Sequence, residues 1–255
     1  MWNDLTVPVV VAHRGDKAYA PENTLSAFKQ ALEKGADAVE FDVKLTADGH
    51  VIVLHDQTVD RTTNGTGNVA NITLSVLRDL DASVQFPGQF PGERIPTLEE
   101  VLETVGRQLS MNIELTNYST PKDALVLKVA EIVKKHGMQS QVLFSSFFAR
   151  NLQKVRLLLP EVPRGLLTLP GLIGSWGRTI GWRGDYAALN PYITDVNDRL
   201  VTRIHSAGKR VNVWTVTNEV EIRRMIDLGV DGMITDDPGL VLSILGRGKK
   251  IFIRG

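Results

Sequence analysis

The sequence predicts an α/β protein of the (β/α)8 TIM-barrel class, distorted by a β-hairpin and a small inserted segment after strand two. Three observations carry that prediction. Short apolar runs alternate with amphipathic stretches along the chain. Most of these runs are nearly all apolar rather than alternating, as parallel strands covered on both faces require. Eight of them fit into 255 residues, a length at which eight βα units close as one domain.

The strands are expected at residues 7–12, 38–43, 111–115, 141–145, 164–169, 187–190, 211–216 and 231–235. The first helix, residues 24–34, follows Asn23, read as its N-cap, and ends before Gly35. Residues 98–105 follow Thr97 with Glu100 three positions on, a capping-box spacing. Residues 122–136 follow Pro121 and stop at Gly137; residues 197–207, 218–228 and 238–245 stop at Gly208, Gly229 and Gly246. A ninth strand, residues 50–54, lies only Ala47-Asp48-Gly49 beyond strand two, too short a link for a crossover helix. Asp-Gly signals a hairpin instead. A turn centred between Ala47 and Asp48 sets Glu40 opposite His55 and lifts the hairpin above the barrel rim. Residues 56–96 are turn-rich (Asn64-Gly65-Thr66-Gly67, Phe86-Pro87-Gly88) and read as an excursion over the barrel top. Residues 170–185 hold Trp176 and Trp182 among several glycines, either as an active-site loop or as an irregular crossover. Residues 1–255 thus read as a single catalytic domain with an insertion at about 56–96.

Composition narrows the function. Lys+Arg and Asp+Glu both number 29, giving a net charge of +0, which argues against a nucleic-acid partner held by phosphate neutralisation. With 0 Cys there are no disulfides, thiolate nucleophiles or Cys-based zinc sites. No apolar run approaches the roughly 20 residues of a membrane helix, so no stable membrane insertion is expected. The first residues lack a basic stretch before their short apolar run, which predicts a cytoplasmic protein.

Barrel chemistry sits where the strands end. Strand one ends in His13-Arg14-Gly15. Strand two carries Glu40 and Asp42, two apart and so on one face. Strand three adds Glu114 at the same level. Three carboxylates without Cys or His ligands suit one hard divalent cation, Mg2+, Ca2+ or Mn2+. The hairpin brings His55-Asp56 to the same rim. Two imidazoles across a metal could take a proton from a nucleophile and give one to a leaving oxygen, and Arg14 could fork onto a phosphate. Metal, arginine and two imidazoles together point to phosphodiester cleavage.

Each feature also has a structural reading. Strand-end histidines often serve packing. Glu40 and Asp42 could form a salt-bridge network with Arg14, Lys44 or Arg61. Asp56 reads better as a turn cap than as a proton carrier. His50, His136 and His205 read as structural, and Trp214 faces either the core or the pocket, where it could hold a glycerol moiety.

Taken together these residues resemble the glycerophosphodiester phosphodiesterase family. The resemblance runs through His13-Arg14-Gly15, Pro21-Glu22-Asn23-Thr24, GADAVEFDVKLTADGHVIVLHD (residues 35–56), RTTNGTGNV (61–69), IPTLEEVL (95–102), NIEL (112–115), SSF (145–147), VWTV (213–216) and GVDGMITDDP (229–238). It implies a distorted barrel with metal-assisted hydrolysis of small glycerophosphodiesters such as glycerophosphocholine to sn-glycerol 3-phosphate and an alcohol. It implies His13 and His55 as the acid/base pair, Glu40, Asp42 and Glu114 as metal ligands, and Arg14 as a phosphate contact. The family commonly carries a lysine two residues after the strand-three glutamate; here Thr116 stands there, able to give a hydrogen bond but no charge. Lys44, on the face of Asp42, is a candidate replacement. Two rival readings remain: a lysophospholipase D or sphingomyelinase-like enzyme, whose insertion should present an apolar surface, and a non-catalytic binding barrel. The sequence gives no oligomeric state; Ile251 and Phe252 either dock on a partner or pack on the barrel.

Overall fold

A computed structural model describes residues 2–247; Ile251 and Phe252 lie outside them. Eight parallel strands form the barrel: β1 (Val9–His13), β2 (Ala38–Leu45), β4 (Ser110–Leu115), β5 (Val142–Ser146), β6 (Arg164–Thr168), β7 (Ala188–Pro191), β8 (Arg210–Val216) and β9 (Gly232–Thr235). Pairing of β1 with both β2 and β9 closes the ring. The ninth strand, β3 (Val51–Val53), hangs antiparallel on β2. Distortion is concentrated between β8 and β9, where the register shifts between Val213 and Val216.

Helices α1 (Leu25–Lys34), α3 (Leu98–Val105), α4 (Leu125–Lys135), α5 (Ala149–Leu158), α7 (Asp198–His205), α8 (Glu219–Asp227) and α9 (Pro238–Ile244) cover the barrel, and the short α2 (Leu74–Arg78) and α6 (Ser175–Thr179) lie in the irregular segments. The Thr97–Glu100 capping box forms as expected. One cap differs: Thr24, not Asn23, accepts from Ala27 N–H at the start of α1, and Asn23 is left at φ 59 with its side chain free for the site. Among the described residues no helix is long and apolar enough to cross a membrane.

The hairpin register also differs. Val43 pairs with Val53 and Leu45 with Val51, one residue off the alignment that put Glu40 opposite His55. Gly49, at φ 78, draws a third residue into the loop, which closes through Thr46 N–H to His50 O at 3.0 Å. Leu54 thus lies beside Asp42, donating its N–H to the Asp42 carbonyl at 3.0 Å. His55 reaches the rim because the chain bends after Leu54, not through the ladder. Residues 56–96 build a small apolar cluster of their own from Val59, Val69, Leu77, Ala82 and Ile95 against Ile52 and Leu54.

The two faces of each strand divide the labour. Outward residues such as Phe41, Val43, Met111, Ile113 and Phe144 pack under the helices. Inward residues near the strand starts, Val9, Val11, Ala38, Leu143 and Ile234, close on Trp2 and plug the barrel. Above that plug the inward positions turn polar, and there the site begins.

Candidate active site

The first site loop is set by backbone conformation. Arg14 (φ 57) and Gly15 (φ 86) turn the chain sharply off β1. A Cβ on Gly15 would meet the Cβ and backbone of Ala27 at 2.6–2.9 Å, so only glycine fits this crossing. The turn aims Arg14 N–H at Glu40 O, 2.8 Å, and turns the guanidinium inward, its Nε 3.4 Å from Asp42 Oδ2.

Glu40, Asp42 and Glu114 come together because β2 and β4 pair in register, Glu40 beside Asn112 and Asp42 beside Glu114. Each offers a carboxylate oxygen within 4.8 Å of the other two. Glu40 and Asp42 are buried, and all three repel one another. Burial, then the charges of Asp42 and Glu114, push Glu40 well above the usual carboxylate range. Burial and Asp42 likewise push Glu114 up to about 8, although Tyr118 donates to its Oε1 at 2.8 Å. Burial works against Asp42 as well, but Arg14, His55 and a bond from Asn23 Nδ2 (3.1 Å) hold it below the ordinary value. Arg14, with Lys44 farther along the face, gives two cations against three clustered carboxylates, too little charge for a closed salt-bridge network. An all-oxygen donor set this compact could hold a divalent cation.

An imidazole stands on either side. His13 Nδ1 lies 2.5 Å from Asp236 Oδ1, and its Nε2 faces Glu40 at 3.9 Å. Burial lowers the His13 pKa, with the Asp236 bond opposing. His55 Nδ1 lies 2.6 Å from Asp56 Oδ1. With Nδ1–H given to a carboxylate, each ring is held in one orientation and presents Nε2 as an acceptor. Asp56, expected only to cap a turn, therefore orients a ring, and Arg61 Nε holds its other oxygen at 2.6 Å. Buried Glu22 then accepts from Arg61 (2.7 and 2.8 Å) and from Arg14 (3.0 Å). A continuous polar chain thus links the second imidazole to the carboxylate cluster. The sequence alone does not distinguish Glu22, Asn23, Tyr118 or Asp236 as site residues. Asn23 read as a cap; Asp236 is hidden beside Asp237, the true cap of α9.

A cavity of about 570 Å³ opens between the hairpin and β4–β6, lined among others by Lys44, His55, Glu114, Thr116, Tyr118 and Phe147. Thr116 does not offer its hydroxyl proton there, since Oγ1 donates to Val43 O at 2.8 Å. It serves instead as an acceptor for Lys44, whose Nζ reaches Thr116 Oγ1 at 3.0 Å and Thr116 O at 3.1 Å. Neither partner is charged, and one of the three ammonium N–H donors remains to be matched. Trp214 packs edge-on to Phe147 and Tyr192, with ring centroids 5.5 and 5.1 Å apart, and donates its indole N–H to Asn190 O. It sits behind the aromatic wall of the cavity, between mouth and core.

The profile of the "Glycerophosphoryl diester phosphodiesterase family" matches residues 13–240. The chain is similar to a glycerophosphodiester phosphodiesterase of Caldanaerobacter subterraneus subsp. tengcongensis, 40% identical over 94% of this chain and 98% of that one. Its fold is similar to a phosphodiesterase of Oleispira antarctica solved with the product sn-glycerol-3-phosphate, at TM-score 0.84 and 30% identity, covering 93% of this chain and 96% of that one. It is also similar to the glycerophosphodiester phosphodiesterase of Thermotoga maritima, at TM-score 0.72 and 30% identity over 92% and 97% of the two chains.

Proposed function

The chain belongs to the glycerophosphoryl diester phosphodiesterase family, and from that premise we propose that its site hydrolyses small glycerophosphodiesters to sn-glycerol 3-phosphate and an alcohol. The observation that carries the reading is the pair of carboxylate-bound imidazoles, His13–Asp236 and His55–Asp56, on either side of three clustered acids.

Each group then has a task. Glu40, Asp42 and Glu114 would hold one divalent cation, Mg2+, Ca2+ or Mn2+. When bound, it would supply charge neutralisation at the phosphate and lower the pKa of the attacking hydroxyl. Arg14 supports negative charge on the phosphate oxygens. One imidazole takes the proton from the attacking hydroxyl, either water or the substrate's own glycerol hydroxyl, and the other gives a proton to the departing alcohol. Asp236 and Asp56 fix the rings, Asn23 holds Asp42, and Lys44 supplies the cationic charge that Thr116 lacks. Trp214 backs the aromatic wall against which the glycerol moiety lies. The enzyme acts in the cytoplasm on a small molecule and not on nucleic acid.

The test is substitution of the imidazoles. His13→Ala and His55→Ala should each lower kcat on the order of 10²-fold or more with glycerophosphocholine. Near-normal turnover in either variant refutes the assignment.

A further inference from the structure

Each of the three clustered acids has one carboxylate oxygen already engaged by a donor of this chain. Arg14 N–H, shared with the Glu40 carbonyl, reaches Glu40 Oε2 at 3.2 Å. Asn23 Nδ2 donates to Asp42 Oδ2 at 3.1 Å, and Arg14 Nε stands 3.4 Å from the same oxygen. The Tyr118 hydroxyl donates to Glu114 Oε1 at 2.8 Å. Among the described residues no hydrogen bond reaches the second oxygen of any of the three side chains.

The donors are fixed by their own surroundings. Arg14 and Asn23 both have left-handed backbone, φ 57 and 59, and Asn23 N–H donates to Arg14 O at 2.9 Å. One turn thus carries the donors for Glu40 and Asp42. Tyr118 belongs to the loop after β4. Its hydroxyl accepts from Phe147 N–H at 3.1 Å, and a hydroxyl that accepts there keeps its single proton for Glu114. Its ring stands edge-on to Phe147 and Phe148, with centroids 5.7 and 4.9 Å away. The phenol therefore has little freedom to follow a rotating carboxylate.

A carboxylate with one oxygen so occupied offers a cation its other oxygen in preference to both. Ca2+ takes about six to eight oxygens and accepts both from one carboxylate, whereas Mg2+ demands a near-octahedral shell and keeps water in it. We propose that Arg14, Asn23 and Tyr118 are positioning residues that hold Glu40, Asp42 and Glu114 to one oxygen each, and so bias the site toward Mg2+ over Ca2+. Three oxygens from the chain leave the rest of an octahedral shell to phosphate and water. The proposal rests on the hydrolytic reading of the site; it adds which ion the acids prefer and which side chains set that preference. Tyr118 is the most informative of them, because among the described residues no other hydrogen-bond donor reaches Glu114. Tyr118→Phe keeps the ring in the aromatic wall and removes only the hydroxyl, which frees Glu114 Oε1 to chelate.

The experiment uses the full chain stripped of metal and loaded with Mn2+, whose free fraction is read by electron paramagnetic resonance while MgCl2 or CaCl2 displaces it. The parent should hold Mg2+ at least as tightly as Ca2+. In Tyr118→Phe the ratio of the two dissociation constants should move toward Ca2+ by about tenfold, the size of effect expected when a metal ligand loses its outer partner. Asn23→Gly, whose glycine suits the left-handed φ, should move the ratio the same way by less, because Arg14 Nε still faces Asp42 Oδ2. A merely structural role for Tyr118 would weaken both ions alike or lower Tm, and leave the ratio where it was. Tighter Ca2+ than Mg2+ binding in the parent overturns the proposal. So does an unchanged ratio in Tyr118→Phe, or in Asn23→Gly where the first variant does not fold; metal-assisted hydrolysis stands in each case. Failure of the parent to bind any of the three ions, with glycerophosphocholine turnover undiminished in chelator, overturns the metal-assisted reading itself.

Discussion

Glu22 ties the two halves of the site together, and its titration is readable. Burial opposes its ionisation, yet the bonds from Arg61 and the charge of Arg14 hold its carboxyl down to about 2, against an ordinary 4.5. A depressed folded pKa contributes stability that is fully present above the unfolded value and lost as pH falls through the folded one. The window is therefore about pH 4.5 down to 2, with on the order of 3 kcal/mol at stake. Glu22→Gln should lose that increment and flatten the acid limb of stability against pH in urea unfolding. An unchanged acid limb contradicts the pairing. Lys44 makes the opposite kind of prediction. Burial lowers its pKa and only neutral oxygens receive its protons. Lys44→Met should leave Tm close to that of the parent, since relief of a buried ammonium offsets the loss of a cation facing Asp42 and Glu114. It should also lower kcat/KM by about tenfold through weaker phosphate binding. A fall in Tm with intact kinetics would make Lys44 structural. Of these residues, His13, His55, Glu40, Asp42 and Glu114 stand out in the sequence only as a set, because each alone reads as structural but all five fall at one barrel rim and within the family's motifs. Asn23 and Asp236 do not, because Asn and Asp before a helix read equally well as caps.

At the scale of elements, the strands are legible because burial on both faces demands continuous apolar runs. The helix α5 is not. Phe148 offers no capping side chain, and the helix buries only Asn151, Leu152 and Val155, too thin a stripe to announce itself. The hairpin is legible as a hairpin, but its register turns on how many residues Gly49 admits to the loop, which Asp-Gly leaves open between two and three. The turn after β1 is the element on which the site depends most. Gly15→Ala must adopt a left-handed φ and drive a Cβ into Ala27. It should cost at least about 2 kcal/mol and displace Arg14 from Asp42. Thermal unfolding and KM read the two effects; retained Tm and KM would mean the turn is softer than described.

For the whole molecule, the barrel does one thing that no single element can. Parallel register sets β2 and β4 side by side, and closure through β1 and β9 brings Asp236 beside His13 from opposite ends of the chain. The hairpin and the segment behind it supply the second imidazole and the arginine that steadies it. The acids are held together against their own repulsion by this framework, which is the physical reason to expect a cation between them.

That expectation is tested most directly by following glycerophosphocholine hydrolysis through chelation and metal restoration. The account predicts a fall of about 10²-fold or more in chelator and recovery when Mg2+ or Ca2+ is added back. It also predicts no recovery in the triple variant Glu40→Gln, Asp42→Asn, Glu114→Gln. Undiminished turnover in chelator, or full metal-restored activity in that variant, would contradict it.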